Sequence, residues 1–477
     1  MVINTVILKA SYDLMTEAQA YAYAIRKFAS DVARGSELRT FKMMRFVDSE
    51  GFDTSKFTFP VCGNLSSADL MVVYCAMAGF NTVVVGNAER GRRDQVIRET
   101  LGLENILSVP ELDLPVELDD GRAAMNALSF TNTQRRGFAA LNGIPDTRLV
   151  LEVAADQPLM YDVYRHAVDL SKEEVDFAIN FNAVNLMKSM VPSFVRNGYD
   201  KVFNSRGEEV VFKENNNFAQ DRISMEHNPP LFRFLYENRN GGRYLAPQNL
   251  VRGINALSLV GRLGHLIFVE GFRVRKDTPN GLIDEIWEYG IKRRTLGKTA
   301  PYSVLMSVVN AAASPTLLSQ RAYVDATNDD IFSCWDMDGW NNDFLGYRTL
   351  FRRNFSNLGR ILPFAEQVYR VDEVLAKKGR EEGITTESYF QTRYHSFVRG
   401  LMWRLRNRDY LRSLHLSGRT ADKVTEAVRD SGIEVAMLGG ESGDVQMIVD
   451  LERHLETHCM QRYQRDREQY EVMRNAA

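Results

Sequence analysis

A lysine and an aspartate, each beside a turn, could together bind a phosphate group and a divalent metal ion. Lys56 precedes a Pro60-x-x-Gly63 turn, and Asp156 directly follows an apolar run at residues 149–155. A lysine ammonium neutralises phosphate charge, and an aspartate holds Mg²⁺ through one or two carboxylate contacts. These residue types therefore indicate a site for a nucleotide and a metal ion.

Both residues also have simpler interpretations. Lys56 is predicted on a short extended segment, and solvated lysines are common on edge strands. Asp156 precedes Pro158, and an aspartate ahead of a first-turn proline is a favoured helix N-cap. Taken residue by residue, the sequence leaves both interpretations of each position open.

Strand and helix patterns alternate along the first third of the chain. Strands are predicted at 1–10, 81–86, 105–108 and 148–154, and helices at 16–33, 65–79, 92–101, 121–141 and 160–169. This alternation predicts an α/β fold, in which helices cover both faces of a parallel or mixed sheet. Ligands of such sheets bind outside the carboxyl ends of the strands, so Ser11, Gly86 and Asp156 are expected at one edge.

Three stretches resemble motifs of one enzyme family. The segment Ser55-Lys-Phe-Thr-Phe-Pro-Val-Cys-Gly63 is similar to K-x-L-x-P-x-x-G-x-P, and Ala155-Asp-Gln-Pro-Leu159 resembles the metal-binding G/A-D-x-P-L. The stretch from Asn132 to Leu141 resembles the helix that precedes this strand in the family. The family is the molybdenum-cofactor guanylyltransferase type of nucleotidyltransferase, and the resemblance spans roughly residues 1–345.

This resemblance implies a three-layer, GT-A-like α/β domain with a mixed sheet over residues 1–349. It implies transfer of a nucleoside monophosphate from a nucleoside triphosphate to a phosphorylated acceptor, with release of pyrophosphate. Asp156 would hold Mg²⁺ or Mn²⁺, and Lys56 would stabilise charge on the α-phosphate. The residues expected to contact the nucleotide are Ser11, Gly63, Gly86, Asn132 and Asn217.

The chain departs from this family after its first strand. The family has a glycine-rich loop there, whose N–H groups cradle the triphosphate because glycine permits a close approach. Here Lys9-Ala-Ser11 follows the strand, and the first glycine is Gly35. The phosphate cradle is therefore altered, supplied by another segment, or lost.

Two further polar clusters are candidate ligand-binding segments. Asp336 and Asp338 form an Asp-x-Asp pair, whose two carboxylates suit Mg²⁺ or Mn²⁺; they also resemble the family's structural D-V-D-x-P-x-D motif. A metal there would suit a glycosyltransferase that uses a sugar nucleotide, and a turn-and-cap role is the simpler alternative. Asn217 ends an Asn215–Asn217 run where the family has G-G-N, and its amide could bind a base or ribose, or belong to a polar loop.

Composition excludes several classes. The 477 residues are 44% hydrophobic and carry a net charge of only −3, so no general field for nucleic acid exists. The four cysteines form no CxxC pair, which favours reduced thiols in a cytoplasmic protein. Neither a signal peptide nor an apolar run long enough for a transmembrane helix is predicted.

Residues 350–477 differ in pattern, because helices predominate. They are predicted to form an appended, mostly helical domain, with helices at 358–378, 386–412, 419–431 and 446–474. Trp403 and Arg404 are the predicted contact of a homo-oligomer, since tryptophan and arginine are frequent interface anchors. A non-catalytic scaffold that assembles through this domain is the alternative function from a different class.

Overall fold

The computed structural model describes residues 2–11, 14–33, 43–51, 53–111, 140–141, 149–159, 163–172, 177–183, 200–203, 209–221, 272–274, 322–327, 337, 339, 343–383, 386–429 and 445–476. Three predicted site residues, Asn132, Asp336 and Asp338, lie outside these ranges. Asn217 is described through its backbone alone.

The described strands form one large mixed sheet and one small sheet. Their bounds are β1 (Thr5–Lys9), β2 (Leu14–Thr16), β3 (Arg45–Val47), β4 (Asp53–Thr54), β5 (Asn81–Gly86), β6 (Ile106–Pro110), β7 (Leu149–Ala154), β8 (Phe177–Ala183), β9 (Asp200–Phe203), β10 (Glu209–Asp221), β11 (Phe272–Val274) and β12 (Ala322–Thr327). The large sheet has the order β11-β12-β8-β10-β7-β1-β5-β6, with β9 paired to β10, and the small sheet has the order β2-β3-β4.

The described helices include four in the first half of the chain and seven near its end. They are α1 (Glu17–Ala33), α2 (Ser67–Met77), α3 (Ala88–Leu101), α4 (Val163–Lys172), α5 (Leu345–Asn354), α6 (Ala365–Glu381), α7 (Thr386–Arg406), α8 (Arg408–Ser413), α9 (Gly418–Arg429), α10 (Val445–His454) and α11 (Met460–Ala476). A 3₁₀ segment, Phe355–Arg360, joins α5 to α6, and a π-helical turn, Leu455–Cys459, joins α10 to α11.

Strand β1 lies inside the sheet because both of its faces are apolar. Val6 and Leu8 belong to the larger hydrophobic core, whereas Ile7 packs with Val83 and Val150 on the opposite face. All five residues of β1 are buried, as expected for a parallel strand covered on both sides. The predicted α/β class is thus confirmed, and the three-layer GT-A-like arrangement stays a prediction.

A buried charge network fixes α2 against α3. Ser66 caps α2 through its hydroxyl, and the Asp69 carboxylate accepts a hydrogen bond from the Ser66 backbone N–H at 2.6 Å. The Asp69 carboxylate also pairs with Arg90 and Arg93. Burial alone raises the pKa of Asp69, but the two arginines and these hydrogen bonds outweigh it and hold that pKa below its ordinary value.

The C-terminal helices share the hydrophobic core of the α/β layers. Tyr470 of α11 donates a hydrogen bond to the Ile3 carbonyl oxygen at 3.0 Å, and its ring lies 5.0 Å from that of Phe80. Phe397 of α7 stacks on Tyr21 of α1 with ring centroids 4.6 Å apart. These helices therefore bury apolar surface within the chain; their role in self-association and the boundary at residue 350 stay predictions.

Trp403 and Arg404 were the predicted interface anchors on α7, and only Trp403 is largely exposed to solvent. Trp403 is 58% exposed, whereas the guanidinium of Arg404 lies 3.8 Å from the centroid of the Tyr21 ring.

Across the described residues, no helix is both long and apolar enough to cross a membrane.

Candidate functional site

The carboxyl ends of four parallel strands meet at one edge of the large sheet. β1 lies between β5 and β7, and β6 extends the sheet beyond β5, all in parallel register. The chain moves from β1 to β5 and β6, then returns to the other side of β1 at β7. The strand order thus reverses between β1 and β7, and open α/β sheets bind ligands in the crevice at such a point. Lys9 is the last residue of β1 and pairs with Ala154, the last residue of β7, two residues before Asp156.

Lys56 and Asp156 form a buried ion pair at this crevice. The Lys56 ammonium contacts Oδ2 of Asp156, and the two side chains are 7% and 9% exposed. The backbone positions Asp156, because the N–H of Ala155 donates to the Lys9 carbonyl oxygen at 3.2 Å. The structure therefore joins the predicted phosphate-binding residue directly to the predicted metal ligand.

The extended conformation predicted for Lys56 is wrong, since the residue lies in a turn. The N–H of Thr58 donates to the Ser55 carbonyl oxygen at 3.0 Å, and the Thr58 hydroxyl donates to the same oxygen at 2.9 Å. The Ser55 hydroxyl accepts from the N–H of Phe57 at 3.2 Å. Serine and threonine side chains compete with strand pairing in this way, and β4 accordingly ends at Thr54.

Beside this ion pair lie buried polar atoms that no described residue satisfies. Oδ1 of Asp156 and both amide atoms of Gln157 are buried without a hydrogen-bond partner among the described residues, and Gln157 is 0% exposed. Leaving a buried polar group without a partner costs roughly 1–3 kcal/mol. Such atoms are expected where a ligand completes the hydrogen bonding, so Gln157 is a candidate contact that the sequence did not single out.

The donor set suits a hard cation only in part. An aspartate oxygen with no partner and a neighbouring amide oxygen are both oxygen ligands of the kind that Mg²⁺ prefers. Within the described residues, no group of three histidine, cysteine or acidic side chains could enclose a metal ion. Mg²⁺ commonly keeps several waters and substrate phosphate oxygens as ligands, so one aspartate beside a bound phosphate fits that pattern.

Met337 reaches Asp156 through its backbone. The N–H of Met337, which lies between Asp336 and Asp338 in the sequence, donates to the Asp156 carbonyl oxygen at 3.0 Å. Met337 is fully buried. The carboxylates of Asp336 and Asp338 lie outside the described residues, so their predicted metal role stays a prediction. Met337, which stands between them in the sequence, adjoins the candidate metal ligand.

The predicted nucleotide contact Asn217 lies on a strand beside β7. β10 runs antiparallel to β7 and pairs Phe218 with Glu152, which places Asn217 alongside the carboxyl-terminal half of β7. The register of β10 against β8 shifts between Asn215 and Phe218. Such bulges often occur next to active sites, where they redirect the chain. The backbone thus brings Asn217 toward Asp156.

Ser11 is held by a different partner from the predicted nucleotide. Its hydroxyl donates to Oε2 of Glu111, and Arg45 binds both Glu111 and Asp53, with Nη1 2.7 Å from Glu111 Oε2 and Nε 2.8 Å from Asp53 Oδ1. Although burial alone lowers the pKa of Arg45, its hydrogen bonds to Asp53 and Glu111 raise that pKa above the ordinary value. Two carboxylates thus occupy this arginine, and the cluster has no positive charge left for phosphate.

The two glycines predicted to contact the nucleotide make close contacts within the protein. A Cβ on Gly86 would lie 2.7 Å from Cγ of Arg90 and 3.3 Å from the Ala10 carbonyl oxygen. Gly63 has a positive φ of +58°, and a Cβ there would lie 2.8 Å from Cγ of Asp372. Glycine is therefore required at both positions by internal packing, and contact with a ligand stays a prediction for each.

A second lysine lies at this edge of the sheet, at the end of β1. Lys9 is the last residue of β1 and is 2% exposed. In the sequence, Lys9 drew attention only because Lys9-Ala-Ser11 stands where the family has its glycine-rich loop. The signal in the sequence was a lysine directly after the apolar residues Val6–Leu8, where a predicted parallel strand ends.

Three comparisons place the chain among known proteins only loosely. No protein-family model and no curated protein matches it. A hypothetical transferase from Thermus thermophilus is 14% identical, with 72% of this chain and 99% of that chain covered and a TM-score of 0.34. A 4-diphosphocytidyl-2C-methyl-D-erythritol synthase from Anaerococcus prevotii is 10% identical, with 50% and 76% covered and a TM-score of 0.26. The inositol-1-phosphate CTP transferase from T. maritima is 11% identical, with 50% and 82% covered and a TM-score of 0.26. These TM-scores do not establish a common fold, so the function must be argued from the residues of this chain.

Proposed function

We propose that this chain is a nucleotidyltransferase-like protein that transfers a nucleoside monophosphate from a nucleoside triphosphate to a phosphorylated acceptor. One observation carries the proposal. At the point where the strand order reverses, a buried lysine–aspartate pair lies beside buried polar atoms of Asp156 and Gln157 that lack partners among the described residues. A cation for phosphate and an anion for Mg²⁺ thus occupy one crevice.

The proposed chemistry assigns different tasks to the two members of the pair. Lys56 donates to the α-phosphate and offsets the charge that grows there as the acceptor phosphate oxygen attacks phosphorus. The new phosphorus–oxygen bond forms as the bond to pyrophosphate breaks. Asp156 offers Oδ1 to Mg²⁺, which when bound would neutralise phosphate charge.

The ion pair itself suits this exchange of partners. Without a ligand, Lys56 and Asp156 neutralise each other, so neither charge is buried alone. With Mg·nucleotide bound, Lys56 would pair with the phosphate and Asp156 would hold the cation. Charge therefore remains balanced in both states.

A glycosyltransferase that uses a sugar nucleotide is the second candidate. It is favoured by the backbone hydrogen bond between Met337 and Asp156, because Met337 stands between Asp336 and Asp338 in the sequence. In that reaction the metal would bind the diphosphate of the donor, and a nucleoside diphosphate would leave.

Product analysis tests the proposal. The protein is incubated with each nucleoside triphosphate or sugar nucleotide, a mixture of sugar phosphates and Mg²⁺, and the released phosphates are identified. Pyrophosphate that depends on protein, acceptor and Mg²⁺ supports nucleotidyl transfer, whereas nucleoside diphosphate from a sugar nucleotide supports the second candidate. Binding of Mg·nucleotide with neither product would show a non-catalytic descendant of the fold.

The variant controls separate the site from general folding. Asp156→Ala and Lys56→Ala should each abolish the product while the protein stays folded by circular dichroism. Lys377→Ala is the matched control, because Lys377 is a lysine of α6 with 73% of its side chain exposed. Product that persists in Asp156→Ala would point to a contaminating enzyme, and loss of product in Lys377→Ala as well would point to a general defect.

A further inference from the structure

The turn that carries Lys56 is held by helices from the far end of the chain. Phe59, fully buried three residues after Lys56, packs against the rings of Phe344 and Tyr394, with centroid distances of 6.1 Å and 6.4 Å. The carbonyl oxygen of Pro60 accepts a hydrogen bond from Nη1 of Arg348 on α5 at 3.1 Å. Two of the C-terminal helical elements therefore contact this segment.

A third helix contacts the next turn of the chain, between Cys62 and Leu65. Oδ1 of Asp372 on α6 accepts hydrogen bonds from the backbone N–H of Asn64 at 2.6 Å and from its side-chain amide at 3.1 Å. The carboxylate can approach so closely because the neighbouring residue is Gly63, at φ +58°. Any larger residue there would collide with Asp372 and with the ring of Phe355, whose Cε2 would lie 2.9 Å away.

Two short hydrogen-bonded turns, at 55–59 and 61–65, follow one another between Lys56 and Asn64, with Pro60 as their link. The N–H of Phe59 donates to the Ser55 carbonyl oxygen at 3.3 Å, and the N–H of Val61 donates to the Leu65 carbonyl oxygen at 2.8 Å. Asn64 lies within the second of these loops. Its backbone is also bound through its carbonyl oxygen, which accepts from Nη2 of Arg93 at 2.7 Å.

We propose that Asp372 is a positioning residue for Lys56, acting through the backbone of Asn64. This inference rests on the proposed function, because it assigns Asp372 the task of fixing the lysine that meets phosphate. Asp372 itself touches neither Lys56 nor Asp156 in the described contacts. The C-terminal helices are then part of the nucleotide site's support as well as a cover for the core.

A double-mutant cycle tests this proposal on the full-length protein. Calorimetry measures the affinity for Mg·nucleoside triphosphate in the natural protein, Asp372→Ala, Lys56→Ala and the double variant. Asp372→Ala should weaken binding about tenfold in the natural background and less than about twofold in the Lys56→Ala background, as expected for residues that act as one unit. Asp372→Asn, which keeps an acceptor oxygen for Asn64, should recover part of the loss.

The matched control is Glu373→Ala, which removes the same charge from the next position of α6. Glu373 is exposed, and this variant should bind the nucleotide like the natural protein. Equal losses from Asp372→Ala in both backgrounds would overturn the positioning role, as would an unchanged affinity in Asp372→Ala. If Lys56→Ala alone leaves the affinity unchanged, the proposed function fails first, and the positioning role fails with it.

Discussion

Replacing Lys56 with methionine should leave the Asp156 carboxylate buried without its cation. Methionine keeps much of the length and bulk of lysine, so the change chiefly removes charge. The two side chains are only 7% and 9% exposed, and breaking a buried ion pair by removing one member costs about 3–5 kcal/mol. Oδ1 of Asp156 has no described partner either, so the aspartate in this variant loses its one described side-chain contact. Lys56→Met should therefore lower the free energy of unfolding by an amount in that range.

Removing both charges should restore most of this stability. Replacement of a buried ion pair by neutral side chains of similar volume is often neutral or stabilising. The double variant Lys56→Met/Asp156→Asn should therefore unfold at a higher urea concentration than Lys56→Met alone. Tryptophan fluorescence in a urea titration measures the midpoint of each variant.

Added Mg²⁺ separates a metal ligand from a purely structural aspartate. A cation that binds the folded state alone stabilises it by about 2.7 kcal/mol when its concentration is about one hundred times the dissociation constant. Mg²⁺ should therefore raise the midpoint of Lys56→Met, where Asp156 needs a cation, and leave that of the double variant unchanged. A titration with EDTA present provides the baseline.

Two results would refute this reasoning. If Lys56→Met unfolds at the same urea concentration as the natural protein, the pair is solvated in solution and its burial carries no energetic weight. If Mg²⁺ stabilises the double variant as much as Lys56→Met, the ion binds elsewhere on the protein.

Further outcomes follow from the same contacts. Lys56→Ala should weaken triphosphate binding by about 1–3 kcal/mol, the range for a charged hydrogen bond, with nucleoside binding unchanged in calorimetry; an equal loss for both ligands would mean that Lys56 acts through folding. Asp69→Asn should destabilise the protein by about 3–5 kcal/mol in urea at neutral pH, because buried Arg93 loses its carboxylate partner and buried Arg90 keeps one of its two, Asp94. Since the pKa of Asp69 is lowered in the folded state, this difference is full above the ordinary carboxyl pKa and shrinks as the pH falls toward the lowered value; a difference that grows in acid would contradict it. Burial raises the pKa of the Cys75 thiol to about 12 and that of Cys62 above its ordinary value, so peptide mapping should find both unmodified by iodoacetamide unless the protein is first unfolded. Deletion of residues 350–477 should yield an aggregating or unfolded product in light scattering and circular dichroism, because core apolar surface loses its cover; a soluble, folded fragment would argue against a shared core.

Local patterns in the sequence predicted the central strands and several helices correctly. β5 forms at the predicted residues, because a β-branched run there is bounded by a glycine. Thr16 caps α1 as predicted, with its Oγ1 accepting from the N–H of Gln19 at 3.3 Å. α3 begins four residues earlier than predicted, since Asn87 caps it and accepts from the N–H of Arg90 at 2.8 Å. The sequence shows this cap as an asparagine directly after the glycine that ends β5.

Other boundaries depend on single polar residues inside helical patterns. The predicted helix at 386–412 is divided into α7 and α8, because Asn407 caps a new helix and accepts from the N–H groups of Asp409 and Tyr410. The predicted helix at 446–474 continues through a π-helical turn at Leu455–Cys459. Hydrophobic periodicity alone reveals neither the break at Asn407 nor the π-helical turn, since the apolar spacing on each side of both remains helical.

The candidate site shows where sequence reasoning stops. The edge of the sheet that carries Asp156 followed from alternation and from the general rule for parallel sheets. The direct pairing of Lys56 with Asp156, the capture of Ser11 by Glu111, and the contact of Asp372 with Asn64 all join residues far apart in the chain. Such partners are chosen by tertiary packing, and a single sequence contains no signal that selects among many available carboxylates.

The central claim is that Asp156 and Lys56 form a site for a nucleotide with Mg²⁺. Isothermal titration calorimetry of the natural protein and Asp156→Ala, each with a nucleoside triphosphate in Mg²⁺ and in EDTA, tests it most directly. The nucleoside triphosphate should bind the natural protein only with Mg²⁺, and this binding should be lost in a folded Asp156→Ala variant. Equal nucleotide affinity in the two proteins, or no binding of any nucleoside triphosphate to the natural protein, would contradict it.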